Sequence, residues 1–556
     1  MPAADLSSDY LKRQLIAYIG NKRRLLPSLH RLFLRLEKEH PVRSMLDPFA
    51  GSGAAARLGR SMGYQVFAND WEEYSRLING VYLRLTPSRV EGLFSRYGGL
   101  RKLLAKLNSY TGSVEEPYFS LYYAPRSTED ADYRTERLFY TRENALFLDH
   151  VRGWIEREYP SDMIHDEDMN DERELLIALL LYEAATHANT SGVFKACHKG
   201  FGGHGSDALK RIMAPMELEY PVLLDGPIGQ AGSMDAGDWV CGKSADLCYL
   251  DPPYTIHQYG SNYHMLNSVA LWDRPDAPLD LKSDGRLRRK AGIREDWIQT
   301  RSPYCTKKFA AGALKKLLAA IDARYIVLSY NSDGIISLDE LCQILSERGR
   351  LSVYADDYVQ YRGGKQGLNR RNLTIEFQLL VENGTPHRKK DGEKIRRFIK
   401  LQELGQLLQG GFHPRRLAAT GLVMGGVLNL GSIGSLAIPL KGGFKPDSSA
   451  LEPEDFFYLT NDEIDTSLRL LKDARFHDNR EEAEILLEIL TAAEGSSKDI
   501  KAVTDRFLLV LKKLAHKKYL HIYKEIYAHA LSVLCSADAA KRLETLNRVA
   551  LRRFSG

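Results

Sequence analysis

The 556-residue chain has little cysteine and no pattern in it. Its six cysteines, at 197, 241, 248, 305, 342 and 535, include no CxxC pair. A disulfide framework and a structural zinc site are therefore not expected, and a reduced, cytoplasmic protein is. Cys197, His198 and His204 lie close in sequence but have no fourth ligand at zinc spacing, so no metal is expected there. No apolar signal core stands at the N-terminus. One uncharged stretch, Leu417 to Leu440, is long enough to cross a bilayer, but its five glycines, Asn429 and Pro439 predict buried turns and short strands instead, and no membrane partner. Neither sign of charge dominates: 77 Lys and Arg stand against 72 Asp and Glu, for a net charge of +5. Any nucleic-acid surface must then be a local patch. The length predicts two or three domains with room for a large core.

What is present centres on Leu250-Asp251-Pro252-Pro253-Tyr254, after Asp246-Leu247-Cys248-Tyr249. A short apolar run ending in a carboxylate, two prolines and an aromatic ring reads as a buried strand delivering polar groups to the rim of a sheet. A planar amine there can donate one hydrogen to the Asp251 carboxylate and one to the Pro252 carbonyl, with Tyr254 stacked on the attached ring. That suits the exocyclic amino group of a nucleobase. A strand-ending turn with a surface aspartate would look the same in isolation.

A second motif, Asp47-Pro48-Phe49-Ala50-Gly51-Ser52-Gly53, follows Val42 to Leu46 and precedes the small and apolar residues Ala54 to Met62. This is strand, glycine turn, helix, where the backbone can approach a ligand closely. The spacing is GxG, and no Lys-Ser/Thr follows, which excludes a phosphate-gripping P-loop. A second strand, Tyr64 to Ala68, ends at Asn69-Asp70, and Asp70 lies seventeen residues after Gly53. An acid at that distance suits ribose hydroxyls.

With Tyr18-Ile19-Gly20-Asn21-Lys22 near the start, these segments resemble the Dam-type DNA N6-adenine methyltransferases, in the motif order of their alpha group. The resemblance covers roughly residues 10 to 384. It implies a Rossmann-like methyltransferase sheet of α/β class, with S-adenosylmethionine as cofactor and N6 of a flipped adenine in double-stranded DNA as acceptor. By the same resemblance Asp251, Pro252, Pro253 and Tyr254 are catalytic. Tyr18 and Lys22 line the methionine end of the cofactor pocket, and Asp47, Phe49, Gly51, Gly53 and Asp70 shape the rest. Asp235 or Asp238 lies where the family holds a polar residue near the cofactor adenine. Methylation of cytosine N4 or of an RNA base remains an alternative, as does a catalytically idle module that binds the cofactor or DNA.

The recognition insertion is expected between the halves of the sheet, over 91–230, with the catalytic domain at 1–90 and 231–384. Within it the helical run Glu172 to Ala188 leads to Asn189 to Gly203, where the family places a DNA-touching hairpin; Asn189, Lys195, His198 and Lys199 are its candidate contacts. Between Lys282 and Lys308 nine basic residues face three acidic ones, among them Arg288, Arg289 and Lys290. Such a loop can order on a phosphate backbone. A PD…DxK nuclease pattern at Pro275 to Lys282 has no strand to support it. Tyr325 to Asn331 reads as a further strand. Tyr354 to Gln360 and Arg371 to Val381 read as a hairpin around a second basic connection, with Arg362, Lys365 and Arg370. Beyond a polar linker near Gly384, residues 385–556 read as an accessory, mainly helical domain, a possible seat for a cognate restriction or defence protein. Its helices are expected at Glu463 to Asp473, Glu481 to Ala493, Ser497 to Ala515 and Tyr519 to Ser536.

Overall fold

The computed structural model describes residues 5–555 other than 21, 110–113, 203–207, 355–373, 432–436, 442–444, 448–452, 493–496 and 535. By its internal contacts the chain falls into two units, one comprising Met1–Val359 with Glu376–Asp391 and the other Gln360–Ile375 with Gly392–Gly556.

The first unit is built on a seven-stranded sheet of order β3-β2-β1-β4-β5-β7-β6. The strands are β1 (Ser44–Asp47), β2 (Gln65–Asp70), β3 (Gln230–Ser233), β4 (Ser244–Leu250), β5 (Asp322–Asn331), β6 (Gly349–Tyr354) and β7 (Glu376–Asn383). The first five run parallel, and β7 is antiparallel to both neighbours. The central strands β4 and β5 are near-continuous apolar runs, as strands covered on both faces must be. Strand order reverses between β1 and β4, so a crevice opens beyond their C-terminal ends. Asp47, Asp70 and Asp251 all stand at that edge. Because β7 is antiparallel, its first residue, Glu376, sits opposite Asn331 at the same edge.

Helices cover the sheet. Leu26–Glu39 presents Leu29, Leu32, Phe33 and Leu36 to the core, and Ala54–Ser61 buries almost every residue because its small side chains allow close approach. Glu73–Arg84 is tied to the long helix Glu167–Thr186 by Arg76–Glu174 (2.8 Å), Arg84–Asp171 (2.6 Å) and Arg84–Glu174 (2.9 Å). Arg137, fully buried, joins this helical region to the basic loop: its guanidinium donates to the carbonyls of Tyr122, Ala277, Pro278 and Arg289 at 2.7–3.2 Å. Gly292 is required beside it, since a Cβ there would come 2.7 Å from the Arg137 guanidinium carbon.

Beyond Tyr354, the last residue of β6, the expected strand Tyr354 to Gln360 lies outside the described residues; β6 pairs with β7 along Gly349–Tyr354. Two expectations need correction. The described part of the segment from Asn189 onward is a run of turns and bends with no strand in it. Its backbone is pinned to neighbours, as Phe194 N–H donates to the Asn262 carbonyl and His198 N–H to the Asn189 carbonyl, so no ladder forms. Beyond Gly384 three helices went unread, Asp391–Leu408, Pro414–Ala419 and Ala537–Ser555.

That second unit holds a four-stranded sheet of order β11-β10-β9-β8 and a helical part. The strands are β8 (Val423–Met424), β9 (Val427–Asn429), β10 (Ala437–Lys441) and β11 (Lys445–Pro446). Gly425 and Gly426, both at positive φ (58° and 77°), make the two-residue turn between β8 and β9. The uncharged stretch thus opens in the end of the short helix Pro414–Ala419 and continues, among its described residues, as turns and short strands. Leu404, Phe412, Leu428, Ile438 and Leu471 form its core. The helices Asn479–Ala492, Ser497–Leu514 and Leu520–Val533 close over a separate core of Leu486, Phe507, Leu511 and Tyr523. Among the described residues no helix is long and apolar enough to cross a membrane.

Candidate active site

A pocket of about 950 Å³, its open mouth included, occupies the crevice. Its floor is the glycine loop. Gly51 (φ 51°) and Gly53 (φ 80°) take left-handed conformations, and a Cβ at either would collide, at 2.8 Å with the Tyr18 ring and at 2.5 Å with Asn79 Oδ1. Ser75 Oγ donates to the Gly51 carbonyl at 2.7 Å. Asp70 accepts the Gly51 N–H at 2.8 Å through one oxygen and the Glu72 N–H at 3.0 Å through the other. Each oxygen keeps a further acceptor position.

One wall is aromatic. Tyr18, Tyr259 and Tyr263 form a cluster of near-parallel rings, Tyr18 lying 5.2 Å from Tyr259 and 4.6 Å from Tyr263, and the Tyr263 hydroxyl accepts the Ile19 N–H at 2.6 Å. Opposite, Phe49 meets the edge of Tyr304 at 5.1 Å, with Thr300 and Ser302 beside it. That segment is docked on the residues after Tyr254 by a mutual pair of bonds: Gln258 Nε2 donates to the Ser302 carbonyl and Ser302 N–H to Gln258 Oε1. Thr300, Ser302, Tyr304 and Gln258 were not singled out in the sequence. Asp235 lines the pocket and also caps the Ala236–Val240 helix, accepting the Gly237 N–H at 2.8 Å.

The chemistry gathers around Asp251. Lys22 Nζ lies 2.9 Å from Asp251 Oδ1 and 3.9 Å from Glu376 Oε2, and 5.2 Å from the centre of the Tyr254 ring. The Tyr254 hydroxyl donates to Glu376 Oε1 at 3.3 Å. Lys22, expected at the methionine end of the pocket, is thus engaged with the carboxylate at the end of β4. Burial pushes Asp251 up to about 6, with Lys22 opposing and Glu376 reinforcing the rise. Burial also works against the Lys22 charge, but Asp251, Tyr254 and Glu376 together hold it well above the usual lysine range. Glu72 is pushed up to about 7 by burial and by Asp70. Asp47 is raised well above the carboxylate range by burial and Asp251, and Asp70 is raised by burial.

Five carboxyl groups, Asp47, Asp70, Glu72, Asp235 and Asp251, thus line one pocket with the single ammonium of Lys22. Such a site favours a ligand that carries positive charge and a hydroxyl pair, and its aromatic walls suit flat rings. S-adenosylmethionine, with its sulfonium, ammonium, ribose diol and adenine, fits that description.

Residues 18–281 match the family described as D12 class N6 adenine-specific DNA methyltransferase. The chain is 31% identical over 339 residues to the type II methyltransferase M.NlaIII of Neisseria lactamica, an alignment covering 60% of this chain and 90% of that protein. The chain belongs to the D12 class N6 adenine-specific DNA methyltransferases. It is similar also to the type II methyltransferase M.CviAII of Paramecium bursaria Chlorella virus 1 (27% over 353 residues, 62% of this chain and 93% of that one). A third relative is the modification methylase LlaI of Lactococcus lactis subsp. lactis (26% over 431 residues, 75% and 62%). No solved structure gives a significant match.

Lys195 and Lys199 are exposed, the latter 5.5 Å from the Tyr133 ring, and His198 is half-buried. Asn189 is not available for contact: it is fully buried, its amide donates to the carbonyls of Leu138 and Gly200, and its side-chain oxygen accepts the Gly202 N–H. It ties the ends of the loop together. Arg288, Arg289 and Lys290 are exposed, with Arg289 paired to Glu295 at 2.7 Å. Arg362, Lys365, Arg370 and His204 lie outside the described residues. Among the described residues no group of three His, Cys, Asp or Glu is arranged to hold a metal ion.

Proposed function

We propose that the chain methylates N6 of a flipped adenine at a defined site in double-stranded DNA, taking the methyl from S-adenosylmethionine, in the cytoplasm. The observation that carries this is a strand-end carboxylate, Asp251, followed by Pro252-Pro253-Tyr254 at the rim of a pocket rich in carboxyl groups. When bound there, S-adenosylmethionine supplies an electrophilic methyl on its sulfonium. Asp70 accepts hydrogen bonds from the ribose hydroxyls, Tyr18 and Phe49 wall the pocket, and Gly51 and Gly53 let the backbone approach.

The adenine amino group is a weak nucleophile because its lone pair is delocalised into the ring. Asp251 through its oxygen not paired to Lys22, and the Pro252 carbonyl, accept its two hydrogens and draw the nitrogen towards a tetrahedral shape, while Tyr254 stacks on the base. The amino group must leave the duplex stack to reach this edge. Lys195, His198 and Lys199, with Arg288, Arg289 and Lys290, meet the DNA backbone and groove. The similarity to type II and modification enzymes supports a role as the protective partner of a restriction system, with residues 385–556 as the seat of a cognate protein. Plasmid from a host expressing the protein, read by a method that detects modified bases, should carry N6-methyladenine in one sequence context. Scattered or absent methylation counts against a site-specific enzyme.

A further inference from the structure

Behind Asp251 lies a carboxylate that no motif announces. Glu376 opens β7 with its side chain 9% exposed; it accepts the Tyr254 hydroxyl at 3.3 Å through Oε1, and Oε2 stands 3.9 Å from the Lys22 ammonium that pairs with Asp251 at 2.9 Å. Two carboxylates therefore share one cation. A lone Lys22–Asp251 pair would be neutral, and Asp251 a correspondingly poor acceptor. With Glu376 the cluster keeps one net negative charge next to the incoming amine. The other groups facing Asp251 are Asp47 on β1, Tyr249 on β4, and Tyr254 and Tyr259 after it.

We propose that Glu376 is a positioning residue for methyl transfer: it shares Lys22 so that Asp251 stays a strong acceptor, and it fixes the plane of the Tyr254 ring through the phenol. This rests on Asp251 being the acceptor for the adenine amino group.

Glu376→Gln keeps an oxygen for the Tyr254 hydroxyl and removes the charge. Turnover should fall about tenfold with KM for DNA and S-adenosylmethionine unchanged. The acid limb of kcat/KM should move to lower pH, because Asp251 loses a negative neighbour. A limb that stays in place overturns the proposal, since loosened packing alone has no reason to move it in that direction. If Glu376→Gln does not fold, Glu376→Asp carries the test: the charge remains, so the limb should hold its wild-type position, while the shortened reach lowers turnover; wild-type turnover would overturn the role. Asp251→Asn in the same assay separates the two claims. Unimpaired turnover there sinks the reading of Asp251 itself, whereas lost turnover there with an unmoved limb in Glu376→Gln sinks only the part given to Glu376.

Discussion

The guanidinium groups of Arg57, Arg60, Arg137 and Arg152 are as deeply buried as the carboxyls of Asp47 and Glu72, yet the two sets are treated in opposite ways. Each arginine is met by backbone carbonyls. Arg57 donates to Tyr10, Arg13 and Gln14 and stacks on Tyr82 at 3.5 Å. Arg60 donates to Tyr82, Leu85 and Leu224, and Arg152 to Val269 and Ala270 and to the Glu156 carboxylate. The carboxyls are left short. Glu72 has the Asn267 amide, Asp251 has Lys22, and neither oxygen of Asp47 meets a donor in good hydrogen-bond geometry, the Phe49 amide only easing its charge. Burying a charge costs several kcal/mol unless partners replace water. Where the chain supplies most of the partners, as it does for these arginines apart from Nε of Arg57 and Arg60, it is building scaffold; where it withholds them from a pocket carboxyl, a ligand is expected to supply them.

The sharpest way to break this contrast is at Arg137. Arg137→Met strips the carbonyls of Tyr122, Ala277, Pro278 and Arg289 of their donor, at about 1–3 kcal/mol for each that is left without water or another donor. A net loss of about 3–5 kcal/mol is expected in denaturant melts, with turnover per folded molecule little changed. Loss of turnover at unchanged stability would put Arg137 in the site instead.

Asp251→Asn should do the reverse. It turns an acceptor into a donor facing a donor and should lower turnover at least about a hundredfold, roughly 2.7 kcal/mol, at nearly unchanged melting temperature. In the wild type the acid limb of kcat/KM should lie near pH 6, where Asp251 loses its charge.

Asp70→Ala removes the acceptor for two hydroxyls and two loop amides. Weaker binding of S-adenosylmethionine by about 1.5–3 kcal/mol is expected by calorimetry, and undiminished affinity would refute the ribose assignment.

Glu72 sharpens the comparison through stability alone. Its folded pKa of about 7 lies above its unfolded value, so its contribution is fully present below the unfolded pKa and is lost as pH rises through 7. Glu72→Gln should therefore stabilise the protein by about 1–3 kcal/mol at pH 8, and the gain should vanish near pH 4 to 5. A gain independent of pH would mean that Glu72 is not the buried charge it looks to be.

The smallest stability effect belongs to the surface. Neutralising Arg288, Arg289 and Lys290 should change stability by less than about 1 kcal/mol. It should flatten the salt dependence of DNA binding while leaving the preferred site alone.

What could be read from the sequence was local. Asp47 to Gly53, Asp70 and Asp251 to Tyr254 each follow a short apolar run, so a strand ending in polar groups was visible from neighbours alone, and the parallel order brought those ends together. The meeting of Lys22, Asp251 and Glu376 was not visible, because it depends on β7 running antiparallel beside β5 and starting where β5 stops. Thr300, Ser302 and Tyr304 were hidden inside a stretch whose basic composition pointed to phosphate. Asn189 was a candidate contact through the family resemblance of its loop alone; its burial follows from the backbone groups of Leu138, Gly200 and Gly202 that needed a partner. Beyond Gly384 helical spacing exposed four helices, while the mixed charge of Asp391–Leu408 concealed one of the three that went unread.

The most direct measurement is the identity of the methylated base. Double-stranded DNA incubated with the protein and methyl-labelled S-adenosylmethionine, digested to nucleosides and resolved by mass spectrometry, should yield N6-methyldeoxyadenosine with the wild type and almost none with Asp251→Asn. Label in N4-methyldeoxycytidine, or undiminished N6-methyldeoxyadenosine from the variant, would contradict the account.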